Sequence, residues 1–223
     1  MRAPIASAAT CTTLTAILAL SACGGSDKAQ DRPTGTGTRT STSPVTTTSA
    51  TPPSPSPTAS VRPAITLPPD AKDVFEDRHT GDPVKDAVLA DNEQWVMAVD
   101  DGLIQGTAAT KPLGFYTAGI ANGKTAVYIG GARKKNYSWT GTLRYFDRRA
   151  TLEDDGTASV IYCSDESRAF LKDRTTGKVD HNATTSRSYV LYNTHLTKNA
   201  QGVWQTDNVS SVRGAKQCVP KTH

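Results

Sequence analysis

The chain has 223 residues, with 25 basic and 21 acidic side chains for a net charge of +4. Hydrophobic residues are 36% of it and aromatics 6%, low enough to imply a folded part diluted by one that cannot build a core. The small, dispersed positive excess argues against nucleic-acid binding, the four cysteines against a disulfide-dense mini-protein, and the lack of any internal apolar run of about 18 residues against a spanning helix.

The first 22 residues read as a targeting segment. Met1 and Arg2 give a positive start, and an apolar run with Leu14, Ile17, Leu18 and Leu20 follows. Its length suits a signal-peptide core and is too short to span a bilayer. It ends in Leu20-Ser21-Ala22-Cys23, which resembles the bacterial lipobox. That resemblance implies that Cys23 becomes the diacylated first residue of the mature chain. Two acyl chains give a durable membrane anchor. The alternative is an ordinary secretory signal cut near Ala22.

Residues 23–66 read as a tether. Between Thr34 and Ser60 there are ten Thr, six Ser and five Pro, with Arg39 the only charge. Such a segment buries too little apolar area to offset its chain entropy. A flexible coil of this length spans roughly 35–40 Å, enough to hold a domain away from a membrane. Ser/Thr/Pro content also permits O-glycosylation, though a plain spacer is the simpler reading.

The folded part is expected over 67–223. Asp82-Pro83 predicts a helix start, an N-cap acceptor followed by proline at the first helical position. Val84, Val88, Trp95 and Val99 recur at helical spacing with Leu89, Val96 and Leu103 beside them, so a long helix should end at Gly102 or Gly106. Region 107–135 is broken by Pro112 and several glycines. Gly114 to Gly119 lacks the Lys-Ser/Thr of a phosphate loop; Lys124–Ala132 predicts a short second helix. The period then changes to two. Strands are predicted over 142–152, 157–163, 186–198 and 203–213, with Glu153-Asp154-Asp155-Gly156 as a hairpin turn. Helices followed by an antiparallel meander make an α+β order.

Cys11 leaves with the signal, so Cys163 and Cys218 remain. Two cysteines in an exported domain most simply pair as a disulfide. A metal pair is the alternative, but no histidine spacing completes a zinc set, and no metal or cofactor is expected.

Together, Asp82-Pro83, Tyr116-Thr117-Ala118-Gly119, Val160-Ile161-Tyr162-Cys163-Ser164-Asp165, Thr176-Gly177-Lys178, Tyr189, Gly202-Val203-Trp204-Gln205 and Cys218 resemble the actinobacterial envelope lipoproteins with an NTF2-like domain. The resemblance covers about 80–220. It implies a curved antiparallel sheet of about four strands wrapped around N-terminal helices, enclosing a cone-shaped cavity. The departure lies in 119–137, where Gly123, Gly130 and Gly131 interrupt a helix that relatives carry more cleanly.

Candidate residues follow from both lines. Related folds include isomerases and cyclases that use a carboxylate or histidine base in the cavity, which makes Asp147, His195, Asp207, Tyr116, Tyr145 and Tyr192 worth weighing. Strand alternation puts Val190, Tyr192, Thr194 and Leu196 on the core face and His195 on the outer one. No catalytic residue is assigned; Tyr116, Tyr145 and Tyr192 are expected to line the cavity. His79, His181 and His223 fall in loops or the tail. Arg133, Lys134, Lys135, Arg144 and Arg148 interleave with aromatics and form a candidate polyanion-binding patch, with a solvated strand face as the alternative. The expected function is a non-catalytic binding or accessory module of the cell envelope. It would be membrane-anchored and extracytoplasmic, with a small apolar ligand, a cell-wall polymer or an envelope protein as partner. An isomerase- or cyclase-type enzyme is the rival.

Overall fold

The computed structural model describes residues 61–221. The signal segment 1–22 with Cys11, the lipidation candidate Cys23, most of the 23–66 tether and His223 lie outside the described residues.

The fold is α+β: three helices packed on a mixed, mostly antiparallel six-stranded open sheet. The elements are β1 (Ala71–Phe75), α1 (Pro83–Gln105), α2 (Lys111–Tyr116), α3 (Ala121–Lys134), β2 (Tyr137–Leu152), β3 (Ala158–Asp173), β4 (Val179–Asp180), a short 3-10 turn at Ser186–Ser188, β5 (Tyr189–Lys198) and β6 (Trp204–Arg213). Strand order is β1-β2-β3-β5-β6, with β4 on the far end of β3. The sheet therefore has six strands where about four were expected.

α1 starts as the sequence predicts. The Asp82 carboxylate accepts from the amides of Val84 (2.8 Å) and Lys85 (3.3 Å), satisfying two donors of the first turn. The helix ends at Gly106, whose φ of 72° is the left-handed conformation of a C-cap. No basic side chain lies in its last turn, so its free carbonyls are capped from outside: Arg174 donates to the carbonyls of Leu103 and Ile104, and Arg133 to that of Gly106.

β1 pairs in parallel with β2, Asp73 lying opposite Leu143. Its sequence, AKDVF, carries two charges in five residues and gives no strand pattern. Its pairing depends on β2, some seventy residues on. The chain before it is also held. Arg62 forms an ion pair with the buried Asp91, which also accepts from the Trp204 amide at 2.9 Å, and Ile65 and Leu67 pack on the core. Packing thus begins a few residues before position 67.

Two irregularities in β2 set its side-chain directions. The register with β3 shifts between Phe146 and Arg149, so that Asp147 and Arg148 together face Tyr162. Asp147 takes a φ of 51°, the signature of a bulge that re-aims the strand. Phe146 points outward, and Arg148, two residues on, turns inward. Gly141 has a φ of 99°, and a Cβ there would lie 2.2 Å from the Arg168 carbonyl oxygen, a close approach that only glycine permits.

The main core lies between the sheet and the helices, around Val88, Leu89, Trp95, Tyr116, Tyr145, Tyr162 and Leu196. A smaller cluster of Cys163, Tyr189, Ala215 and Cys218, with Phe146 and Leu191 packed on it, is built around the disulfide. Cys163 and Cys218 are bonded, Cα to Cα 5.5 Å apart, tying the C-terminal tail to the middle of β3. Bonds of this kind belong to oxidising, extracytoplasmic compartments.

Candidate functional site

The helices leave space over the sheet. One hollow of about 280 Å³ is lined by Trp95, Val96 and Asp100 of α1, Tyr128 of α3, and Tyr145, Tyr162 and Tyr192 of the sheet, among others. A second of about 840 Å³ opens between α3 and the ends of β2 and β3. Asp100, Tyr128, Tyr145 and Tyr192 line both, so the two adjoin beneath α3. The larger has the size of a typical small-molecule site and the smaller lies near the lower limit.

The walls are aromatic for a structural reason. Tyr145, Tyr162 and Tyr192 come from β2, β3 and β5 and share the sheet's inner face. Tyr162 stacks on Tyr192 at 5.1 Å and meets Tyr145 edge-on at 6.0 Å; Phe75 stacks on Tyr145 from β1 at 4.8 Å. Such pairs hold one another in fixed orientations, which gives the hollow a rigid floor.

Asp100 is the polar centre. It lies on the buried side of α1, four residues after Val96, and is 6% exposed. The Tyr145 hydroxyl donates to its Oδ2 at 2.6 Å. Burial, reinforced by the charge of Asp73, holds its carboxyl well above the usual carboxylate range. The protonated acid accepts from Tyr145 and keeps its own O–H for a second partner. Burial likewise raises the Tyr145 phenol, so both shifts favour the uncharged forms.

Two further polar groups in the walls lack partners among the described residues: the indole N–H of Trp95 in the smaller hollow and the Ser164 hydroxyl in the larger. Trp95 is 4% exposed and Ser164 1%. Buried donors normally find acceptors, so these two leave hydrogen-bonding capacity unmet beside the hollows.

Of the residues expected to line a cavity, Tyr145 and Tyr192 do so. Tyr116 does not. It is fully buried at the end of α2, edge-on to Phe115 with Arg62 over its ring, and belongs to the main core. His195 faces outward, its Nδ1 2.6 Å from Asp207 Oδ1. Asp147 is the exposed residue of the bulge.

The basic residues do not form one patch. Arg148 is 3% exposed, donates to the Leu89 carbonyl at 2.7 Å and the Glu76 carbonyl at 3.4 Å, and has Glu93 at 3.5 Å. The bulge at Asp147 is what turns it inward. Arg144 is held by Glu76 (3.0 Å) and Asp165 (3.5 Å) and lies over the Phe146 ring, so its charge is matched within the fold. Arg133, Lys134 and Lys135 are exposed at the end of α3. The patch is reduced to these three.

Pattern reading passed over Asp100 and Asp73. The signal for Asp100 was a carboxylate at an i+4 position on the helix's apolar stripe. Asp73 gave none, because β1 itself was not legible. Among the described residues no group of three or more His, Cys, Asp or Glu is placed to hold a metal ion.

No protein-family profile matches the chain, and no curated protein does. A solved structure, the intermembrane space region of the chloroplast protein ARC6, is similar at 11% identity and a TM-score of 0.32, over 55% of this chain and 94% of that one. A likeness of that degree says nothing about function.

Proposed function

We propose that this protein is an extracytoplasmic binding module of the cell envelope, anchored through a lipid on Cys23, with an NTF2-like domain whose cavity takes a small, largely apolar ligand. One observation carries the ligand reading: an aromatic-walled cavity with the buried, hydrogen-bonded Asp100–Tyr145 pair at its centre. These groups favour a neutral ligand oxygen, a carbonyl or ether, over a charged group. Beside Asp100 a carboxylate or ammonium would be desolvated, and the one cation that lines the smaller hollow among the described residues, Lys124, is exposed and already donates to Asn208 and the Val209 carbonyl.

The test uses 1-tetralone, a fused aromatic ketone, followed by quenching of tryptophan emission in the full chain. Saturable quenching is expected, weakened about fivefold by Asp100→Leu, which removes the O–H left for the ligand, since one hydrogen bond contributes on the order of 1 kcal/mol. Val209→Phe, which narrows the smaller hollow, should abolish it. Failure of tetralone and related fused-ring ketones to bind, or binding indifferent to both substitutions, rules the ligand reading out. For the anchor, Cys23→Ser should release the protein into the medium; unchanged membrane retention rejects it.

The rival, an isomerase- or cyclase-type enzyme, draws on the same acid. A carboxyl kept protonated against a substrate oxygen can stabilise an enolate-like charge. Such chemistry also needs a base: Asp73 and His195 line neither hollow, and of the carboxylates that line the larger one Glu166 is paired with Arg213 and Asp180 is exposed, which favours binding over turnover. Deuterium uptake at the carbon beside the tetralone carbonyl, dependent on Asp100, would reverse that preference.

A further inference from the structure

The outer face of α3 has the composition of a helix that lies on a surface. Its inward positions Ala121, Thr125 and Ile129 are buried. Its outward positions expose Ile120 (60%) and Val127 (77%), and Tyr128 (55%), which also lines the hollows, is exposed on its flank, making a contiguous apolar strip. Gly123 and Gly130, where an added Cβ would meet nothing within 4 Å, keep the ridge between them low. Helical spacing puts Ile120, Val127 and Lys134 in one line along the outer face, with Lys124, Tyr128 and Lys135 along its flank. Tyr137, just beyond, is also exposed.

Charge points to the occupant. The segment Ala121–Lys134 contains no Asp or Glu, and its last turn carries Arg133 and Lys134, with Lys135 following. None of these three has an acidic partner within ion-pair distance among the described residues, and with Lys124 they make the helix and its end uniformly basic. An apolar ridge bordered by unmatched cations fits an anionic lipid surface, into whose headgroup layer Ile120 and Val127 would sink while the lysines meet phosphate. We infer that α3 docks on the anionic membrane surface, Val127 and Ile120 first. This does not depend on what the cavity binds.

The test exploits the three native tryptophans, Trp95, Trp139 and Trp204, which are all buried and out of reach of lipid. The full chain with Val127→Trp is mixed with vesicles of phosphatidylcholine and phosphatidylglycerol whose acyl chains are brominated. Ile161→Trp, at an exposed position on β3, serves as reference, because any attachment through the N-terminus affects both proteins alike. Emission of the Val127→Trp protein should fall by about twofold more than that of the reference, as expected for a ring in the headgroup–acyl boundary. The excess should vanish with phosphatidylcholine alone and shrink on adding Lys134→Gln and Lys135→Gln. Equal quenching at 127 and 161, or an excess that persists on neutral vesicles, overturns the proposal. So does retention by soluble teichoic polymer with tryptophan 127 unquenched. Should Val127→Trp fail to fold, Ile120→Trp, exposed on the same ridge, gives the same readout.

Discussion

Replacing Asp73 by asparagine should stabilise the domain, and more so as pH rises. Asp73 lies on the inner face of β1, and both its carboxylate oxygens are buried without a partner among the described residues. Burial first, and the charge of Glu93 second, raise its pKa from 3.8 to about 7. The folded chain therefore holds a proton that the unfolded chain releases between those values. Stability from this group falls as pH rises through that window, and the full penalty is present above it. By linkage the penalty is about 2 kcal/mol near pH 5 and about 4 kcal/mol near pH 8. Asparagine keeps the shape and cannot ionise. Its buried amide carries a desolvation cost of about 1–3 kcal/mol, but that cost does not change with pH. The gap between variant and parent in guanidinium unfolding should thus widen by about 2 kcal/mol between pH 5 and pH 8. In thermal unfolding the added gap corresponds to several degrees, on the order of 5 °C. A gap that stays constant, or narrows, would show that Asp73 ionises normally and that the acidic centre beneath the sheet is wrongly described.

Four other outcomes follow. Arg148→Ala should destabilise by about 3–5 kcal/mol, because it removes the buried cation that satisfies the Leu89 carbonyl and faces Glu93; a loss under about 1 kcal/mol in urea unfolding would place that side chain in solvent. Gly141→Ala combines a left-handed φ with a Cβ 2.2 Å from a backbone oxygen, and a loss of several kcal/mol is expected; an unaltered melting temperature would contradict that close approach to Arg168. Reducing Cys163–Cys218, or changing both residues to serine, opens a link across a sequence separation of 55 and should lower stability by about 4 kcal/mol in the chain-entropy picture; a free thiol at either position in the oxidised domain would exclude the bond. Arg62→Ala frees the segment before β1 from Asp91 and should raise proteolysis and amide exchange over 61–70 before it affects β5; simultaneous loss of protection in both would mean that the segment is integral to the core.

Local chemistry made much of this fold legible. Asp82-Pro83 starts α1 because side-chain capping and the fixed φ of proline act over three residues. Cys163 and Cys218 were the only pair available to an exported domain. Val190, Tyr192, Thr194 and Leu196 reached the inner face, and His195 the outer, because β5 keeps a period of two along most of its length. What tertiary structure decided lies where that period breaks or where a partner is distant. β1, with two charges in five residues, is a strand only because β2 offers it a parallel edge. Arg148 shared a face with Arg144 and Phe146 on paper; one bulged residue at Asp147 moved it into the core and divided the basic cluster. Tyr116 became a core residue because α2 packs it between α1 and β6. Asp100 acquired its role when α1 laid that position over three tyrosines from three strands, since the ionisation of a carboxyl is set by what surrounds it in space rather than by its neighbours along the chain.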